Sequence, residues 1–339
     1  MLTIDGSQGE GGGQILRTSL ALSIITGTPI SINHIRAKRD KPGLRRQHLT
    51  AVRAAAKISE ADVSGDQVGS KQITFHPRRT VPGDYRFDVG SAGSTTLVLQ
   101  TILPPLVLAG GRSTIELIGG THNPFAPPVD FLQRAFLPIL NRMGPSVTLQ
   151  IERPGFYPVG GGRLRVAIEP ATRLAPVAIL ERGEIVRRRC QAVIANLPDH
   201  IAERELATVA AALDWPDDCL ETRRYEGNYG PGNLVTIEIE CEQLTEVFTG
   251  FGRKGVRAEA VAGEAAAEAQ RWLAAEAPVG EHLADQLLLP SALAGGGEFI
   301  TMPPSSHFTT NCDVIGQFLN VPLSAQAVGD NRWRLTVGS

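Results

Sequence analysis

The chain has 339 residues, 42% of them apolar and 20% charged, and a formal net charge of −2. That length suits two domains or one large repeat assembly, and that charge excludes a globally basic nucleic-acid binder, so a polyanion has to be met by a local basic patch. No apolar run reaches membrane-spanning length, so no membrane partner is expected.

Residues 2–5 read as a short strand, 6–14 as a glycine-rich loop and 15–26 as a helix. The first residues enter that strand with no basic-then-apolar leader. A strand, a glycine-rich loop and a helix start can cradle phosphate with backbone amides. No Gly-Lys-[Ser/Thr] closes the loop, so it is not a P-loop, and it does not meet the GxGxxG register of a dinucleotide fold. Glu10 in the loop is a candidate metal ligand, and Arg17, one turn into the helix, a candidate phosphate contact. The plainer alternative is a turn with solvated charges.

A strand at 29–35 leads into the densest basic run of the chain, where Arg36, Lys38, Arg39, Lys41, Arg45 and Arg46 face one acid, Asp40. Most charge runs are solvated faces; this one sits at a strand-to-helix connection, where phosphate binding is a reasonable use. The helix continues to residue 58, and strands follow at 62–64 and 72–76. The same order then recurs: strand 85–89, a Gly/Ser loop at 90–94, a helix over 95–108 carrying Gln100, strand 113–118, a loop over 119–128, a helix over 129–143, and strands near 147–152 and 164–168. Both segments read β-α-β-α-β-β over roughly 80 residues, longer than a solenoid period and so two copies of one unit. The linker 155–162 is too glycine-rich for a regular element.

A third unit starts at 177–180 and is interrupted. The interruption reads as strand 190–196, helix 201–213, strands 220–225, 235–241 and 246–251, a turn at 228–233, and an Ala/Glu-rich helix over 257–275. Beyond it come a helix over 280–294, strand 298–302, a helix to 319, and strands 323–328 and 333–337. The expected fold is α/β (α+β): three β-α-β-α-β-β repeats around a common helical core with sheets outward, and a small α/β domain inserted in the third. Repeats would span about 1–80, 84–170, and 171–181 with 277–339; the catalytic repeat domain would be 1–181 and 277–339, and the insert 182–276. Cys190, Cys219, Cys241 and Cys312 show no CxxC or metal-ligand spacing, so free thiols, a reducing compartment and a cytoplasmic protein are expected.

Pro303 and Pro304 stop the last long strand of this unit's first half, and Ser305 and Ser306 offer an N-cap. His307 then falls in the first turn of a helix. A neutral imidazole can attack phosphorus, and the amides of a helix start can hold a phosphate beside it. A lone histidine near a cap is more often a plain surface residue. Here it comes with glycine-rich loops at helix starts, a basic cluster, a loop glutamate, and Asp285-Gln286 on a helix. Those parts suit nucleotidyl or phosphoryl transfer through a covalent histidine; no serine elbow and no HExxH is present.

The chain resembles the RNA 3′-terminal phosphate cyclase family. The resemblance rests on residues 5–17 (DGSQGEGGGQILR), 41–49 (KPGLRRQHL), 90–94 (GSAGS) with 97–100 (LVLQ), 119–124 (GGTHNP), 155–162 (GFYPVGGG), 230–233 (GPGN), 282–286 (HLADQ) and 306–311 (SHFTTN), in family order along nearly the whole chain. It implies an ATP-dependent enzyme that converts an RNA 3′-terminal phosphate to a 2′,3′-cyclic phosphate through a histidine–AMP phosphoramidate and an RNA adenylate. It implies His307 as nucleophile, and Gln100, His282, Leu283, Ala284, Asp285 and Gln286 as ATP-binding positions, with Pro127 and Phe131 near the adenine. It further implies Arg17, Arg39 and Gln47 around the phosphates, and Glu10 as a carboxylate holding a divalent metal, magnesium or manganese. Where some relatives carry tyrosine before Leu-Ala-Asp-Gln, this chain has His282. Three other readings compete. A catalytically silent relative acting in ribosome assembly would lack the histidine. An enolpyruvyl-type transferase would clamp phosphoenolpyruvate and need no adenylylated histidine. A plain RNA-binding module would be confined to the basic run.

Overall fold

The computed structural model describes residues 1–227 and 230–338; Asn228 and Tyr229 of the expected 228–233 turn lie outside them. In chain order the elements begin with β1 (Leu2–Asp5), α1 (Gln14–Thr26), β2 (Ile30–Asn33), α2 (Arg46–Ser59), β3 (Asp62–Ser64) and β4 (Ile73–His76). Next come β5 (Asp84–Asp88), α3 (Thr95–Leu106), β6 (Ser113–Gly119), α4 (Val129–Phe131), a π turn (Leu132–Phe136), α5 (Leu137–Arg142), β7 (Ser146–Arg153) and β8 (Gly162–Glu169). β9 (Ala178–Ile179) precedes β10 (Ile185–Ala195), α6 (Asp199–Leu213), β11 (Leu220–Tyr225), β12 (Gly232–Cys241), β13 (Thr245–Phe251) and α7 (Ala258–Ala275). The chain closes with α8 (Glu281–Leu293), β14 (Gly297–Thr301), α9 (Ser306–Phe318), β15 (Leu323–Gly329) and β16 (Arg332–Val337).

The architecture is mixed α/β with small four-stranded sheets, ordered β1-β2-β4-β3, β5-β6-β8-β7, β9-β14-β16-β15 and β11-β10-β12-β13. In all four the leading pair is parallel and the other two pairings are antiparallel; the first three also share one strand order, first-second-fourth-third in β1–β4 and β5–β8 and in β9 with β14–β16. β8 alternates buried and exposed residues along its length, so one face meets helices and the other meets water. Helix α1 is buried on nearly every side, with Ile15, Leu16, Leu20, Ala21 and Leu22 in the core and a polar stripe of Gln14, Arg17 and Thr18 along one face, the pattern of a helix surrounded by others. It packs against α2, α3 and α9, which puts its first turn in the middle of the molecule.

The helix expected over 129–143 runs from Val129 to Arg142 with a π turn at its centre. Pro138 has no N–H to give Arg134, and the amide of Leu137 reaches back five residues to the Leu132 carbonyl, the signature of a π turn. All four cysteines are free thiols. No helix among the described residues is long and apolar enough to cross a membrane.

A second apolar cluster gathers Trp272, Val235, Ile237, Ile239 and Phe248 between α7 and the β11-β10-β12-β13 sheet. Two glutamates are buried beside it. Glu246 on β13 accepts from the amide of Gly280 at 2.6 Å, just ahead of α8, and burial pushes its carboxyl up to about 8. Glu205 on α6 accepts from Asn233 Nδ2 at 2.9 Å while its Oε1 has no partner, and burial raises its carboxyl from 4.5 to about 7. Below pH 4.5 both folded and unfolded chains hold that proton. Between 4.5 and about 7 only the folded chain does, so stability falls as pH rises through this window. Glu205→Gln should remove that loss, amounting to about 3 kcal/mol. Denaturant unfolding at pH 5 and pH 8 checks it: the variant should gain on the wild type at the higher pH, and parallel pH dependences would contradict the burial argument.

Candidate active site

Two helix starts from opposite ends of the sequence meet in the centre. Ser305 caps α9, its side chain accepting from the Phe308 amide at 3.2 Å, and Phe308 is buried, so the next residue back is turned outward. That residue is His307, whose side chain is 54% exposed. Its Nδ1 lies 2.8 Å from Gln14 Oε1 on α1, and its Nε2 lies 3.2 Å from Glu10 Oε2.

The Gln14 amide has a definite orientation. Its Nε2 donates to Asp285 Oδ1 at 2.7 Å on α8, which leaves the amide oxygen for the histidine. A carbonyl oxygen accepts only, so Nδ1 carries a proton toward Gln14, while Nε2 faces the Glu10 carboxylate, which also accepts only. Asp285 also accepts from Asn311 Nδ2 at 3.4 Å and from Gln286 Nε2 at 3.2 Å, and Gln100 Nε2 donates to Gln286 Oε1. The result is a row of hydrogen bonds running Gln100, Gln286, Asp285, Gln14, His307. Burial holds the Asp285 carboxyl above its ordinary value, opposed by the Gln14 hydrogen bond. Thr18 Oγ1 donates to Asn311 Oδ1 at 2.9 Å, a second tie between α1 and α9.

The glycine-rich loop folds over this pair. Gly9 has φ +51, and a Cβ there would stand 2.0 Å from Thr310 Oγ1, which also accepts from the Glu10 amide at 3.2 Å. At Gly12 a Cβ would fall 2.4 Å from Glu10 Oε1 and 2.6 Å from Arg39 Nη2, so only glycine lets the Arg39–Glu10 pair close at 2.9 Å. Arg17 is half-buried in the same cavity as Gln14, Gln100, Asp285 and Gln286, and has no hydrogen-bond partner among the described residues. Desolvation lowers its guanidinium to about 10, with Glu10 and Asp285 pulling the other way. An anion entering this cavity would find a cation with its donors free.

The basic run is mostly tied to the loops. Lys38 Nζ donates to the Gly9 carbonyl at 2.7 Å, Arg36 to the Lys41 and Gly43 carbonyls at 2.8 and 2.9 Å, and Arg46 to the Gly90 carbonyl at 2.7 Å. Gln47 Oε1 accepts from the Ser94 amide at 3.0 Å, just ahead of α3. His48, which the sequence does not single out, is buried; desolvation and then Arg36, Arg17, Arg45 and Arg39 push its ring down to about 3. It stays neutral and serves as an uncharged spacer among four guanidiniums. Its Nδ1 accepts from the Arg45 amide at 3.3 Å.

The remaining candidate residues are dispersed. His282 is exposed on the first turn of α8. Leu283 and Ala284 are buried in the core and are not among the residues that line the cavity with Asp285 and Gln286. Phe131 is also in the core, and Pro127 is half-buried in the 119–128 loop. Glu10 is a lone carboxylate for a metal: among the described residues no group of three His, Cys, Asp or Glu is gathered for one. A magnesium-like ion takes one or two carboxylates and completes its shell with phosphate oxygens and water, so Glu10 fits as a single protein ligand beside a bound phosphate.

A histidine with one nitrogen held and the other presented, beside a free guanidinium and a glycine-rich loop, makes this an enzyme site suited to chemistry at phosphorus. The chain belongs to the RNA 3′-terminal phosphate cyclase family, whose family model matches residues 8–325. It is similar to the RNA 3′-terminal phosphate cyclase of Koribacter versatilis (strain Ellin345), 52% identical over 321 residues, covering 95% of this chain and 90% of that one. The cyclase of Ectopseudomonas mendocina (strain ymp) is 50% identical, covering 95% and 94%, and that of Salmonella enteritidis PT4 (strain P125109) is 51% identical, covering 96% of each. Among solved structures, the enolpyruvyl transferase NikO from Streptomyces tendae overlays with a TM-score of 0.39 at 12% identity, over 99% of this chain and 48% of that one, too loosely to favour the transferase reading.

Proposed function

We propose that this enzyme converts an RNA 3′-terminal phosphate to a 2′,3′-cyclic phosphate at the expense of ATP, with His307 as the covalent carrier of AMP. The observation that carries the reading is the held ring: Gln14 on Nδ1 leaves the Nε2 lone pair as the attacking one. Nε2 attacks the α-phosphorus of ATP, the bond to pyrophosphate breaks, and AMP is left on the ring. An oxygen of the RNA 3′-phosphate then takes the AMP and the ring is released. The vicinal 2′-hydroxyl attacks the activated phosphate, AMP leaves, and the cyclic ester closes. A phosphate oxygen leaves poorly and AMP leaves well, while the 2′-hydroxyl is already tethered beside the phosphorus.

Arg17 and the loop amides would receive the phosphates, with Arg39 and Gln47 at their edge. Asp285, Gln286, Gln100, Pro127, Phe131 and the 282–284 turn would form the nucleotide side. A divalent ion, when bound, would neutralise charge on the triphosphate and engage Glu10 in place of the ring. Glu10→Ala should therefore slow adduct formation from ATP far more than cyclisation of RNA supplied already adenylylated; equal losses in the two rates would contradict that assignment.

The same reading treats the three like-ordered sheets as copies of one repeat, forming a catalytic domain of residues 1–181 and 277–339, with 182–276 as an insert, in a cytoplasmic enzyme. The test is an intact-mass and peptide-mass comparison after incubation with ATP and magnesium or manganese, without RNA. An acid-labile adduct of AMP mass on the peptide containing His307 is the expected result. ATP binding with no adduct would move the chain to the non-catalytic reading.

A further inference from the structure

Among the described residues, the two exposed aromatic rings of the chain are Phe125, 99% exposed, and Tyr157, 73% exposed. They lie on two loops that touch. The 119–128 loop is bound to the 90–94 loop by Asn123 Nδ2 donating to the Ala92 carbonyl at 2.7 Å. The 155–162 loop presses on the same residue: Gly160, at φ +68, approaches so closely that a Cβ would stand 2.7 Å from Ala92 Cα. Val159, 55% exposed, extends the apolar surface beside Tyr157.

The floor beneath these rings is rigid. His122 is buried, with Nε2 3.0 Å from Asp130 Oδ2 and Nδ1 2.8 Å from Thr121 Oγ1, and its ring stacks on Phe156 at 5.4 Å between centroids. Phe125 itself holds φ +63, a conformation that non-glycine residues rarely adopt and that persists where the surroundings impose it. A fully solvated phenyl group held this way contributes nothing to the core of the fold.

The ledge is continuous with the candidate site. Measured contacts run from His307 through Glu10 to Arg39, and from Arg46 and Gln47 across to Gly90 and Ser94, and the basic run 36–46 joins the two along the chain. Ala92 then joins both aromatic loops. Along this path Lys41, Arg45 and Arg46 are exposed. Exposed rings beside a strip of cations are the means by which proteins hold unpaired nucleic acid without reading its sequence, bases on the rings and phosphates on the cations.

We propose that this ledge carries the single-stranded RNA upstream of the reacting 3′-phosphate, with bases stacked on Phe125 and Tyr157 and the backbone along Lys41, Arg45 and Arg46. The inference rests on the reading above for the position of the RNA end. It deepens that reading by assigning a track to the nucleotides that do not react. The stacking is sequence-tolerant, because every base offers a π face. The chain's net charge of −2 confines the attraction to this strip, so the salt dependence of binding should be shallow.

The test uses the full chain and compares the wild type with Phe125→Ala, Tyr157→Ala and the double variant on a long single-stranded 3′-phosphorylated oligonucleotide and on a 3′-phosphorylated dinucleotide. Each alanine should raise KM for the long substrate about tenfold, the double variant more, with kcat, the dinucleotide KM and adduct formation from ATP alone unchanged. Phe125→Trp and Tyr157→Phe should restore the wild-type KM, since they keep a π face. An unchanged KM in the double variant, or an equal rise for the dinucleotide, would overturn the proposal. So would a wild-type dimer in sedimentation that the double variant dissolves, which would make the ledge a protein interface. Should the wild type form no adduct and close no phosphate, the activity reading fails on its own. The ledge is then judged by fluorescence anisotropy with unphosphorylated single-stranded RNA, where the same variants should bind about tenfold more weakly per ring and equal binding overturns it.

Discussion

His307→Ala will abolish the AMP adduct and the cyclisation of RNA 3′-phosphates while leaving thermal unfolding within a degree or two of the wild type. The two halves of that expectation have separate causes. The side chain is 54% exposed and touches only Gln14 and Glu10, so removing it opens no cavity. The start of α9 is held instead by the Ser305 cap, the buried Phe308 and the Thr18–Asn311 hydrogen bond, none of which the substitution disturbs. The chemistry, in contrast, has no substitute: among the described residues no histidine lines the adjoining cavity of Gln14, Arg17 and Asp285, and His307 is the one histidine hydrogen-bonded to Gln14. Mass spectrometry after ATP treatment and a melting curve measure the two halves. A variant that still took up AMP would remove His307 from the role of nucleophile. RNA supplied already adenylylated should still be closed by the variant at near the wild-type rate, because that step does not use the ring.

Gln14→Met will cost about 10² in the rate of adduct formation, with half-saturation by ATP little changed. Methionine nearly matches glutamine in volume but offers no carbonyl to Nδ1–H. In Ser-His-Asp triads, where an aspartate holds the imidazole tautomer, loss of that hold costs up to about 10⁴ in kcat. Gln14 is a neutral dipole, so a smaller factor is expected. It acts as a positioning residue through the ring, and the ring can be observed directly. In ¹⁵N-labelled protein the two His307 nitrogens should report Nδ1–H in the wild type and a mixed tautomer in Gln14→Met. An unchanged rate with an unchanged tautomer would mean that Gln14 does not set the ring.

Much of this could be read from the residues before any coordinates. Prolines 303 and 304 and serines 305 and 306 place His307 in a first helical turn, and the structure has α9 starting at Ser306. Local signals of that kind act over a few residues and leave a trace in the sequence. The partner of His307 does not: Gln14 is 293 positions away, and the Gln14, Arg17, Thr18 spacing marks a polar stripe on α1 without telling what it faces. The same holds for Thr18 with Asn311. Leu283 and Ala284, which the resemblance groups with Asp285 and Gln286, have their side chains in the core, and a shared motif does not tell which of its members line the cavity. The π turn leaves no periodic signature in the sequence, and a buried neutral histidine such as His48 carries no mark there either.

The distance along the chain between Gln14 and His307 also sets an order of events in the cell. A ribosome releases α1, the glycine-rich loop and the basic run long before α9 exists, and contacts between far-separated residues are the slow ones to form. Throughout that interval the growing polypeptide lacks both His307 and the cavity walls that Asp285, Gln286 and Asn311 supply. On the proposed reading, competence to react arrives when α9 docks beside α1, and an AMP-charged molecule is one in which these two helices have met.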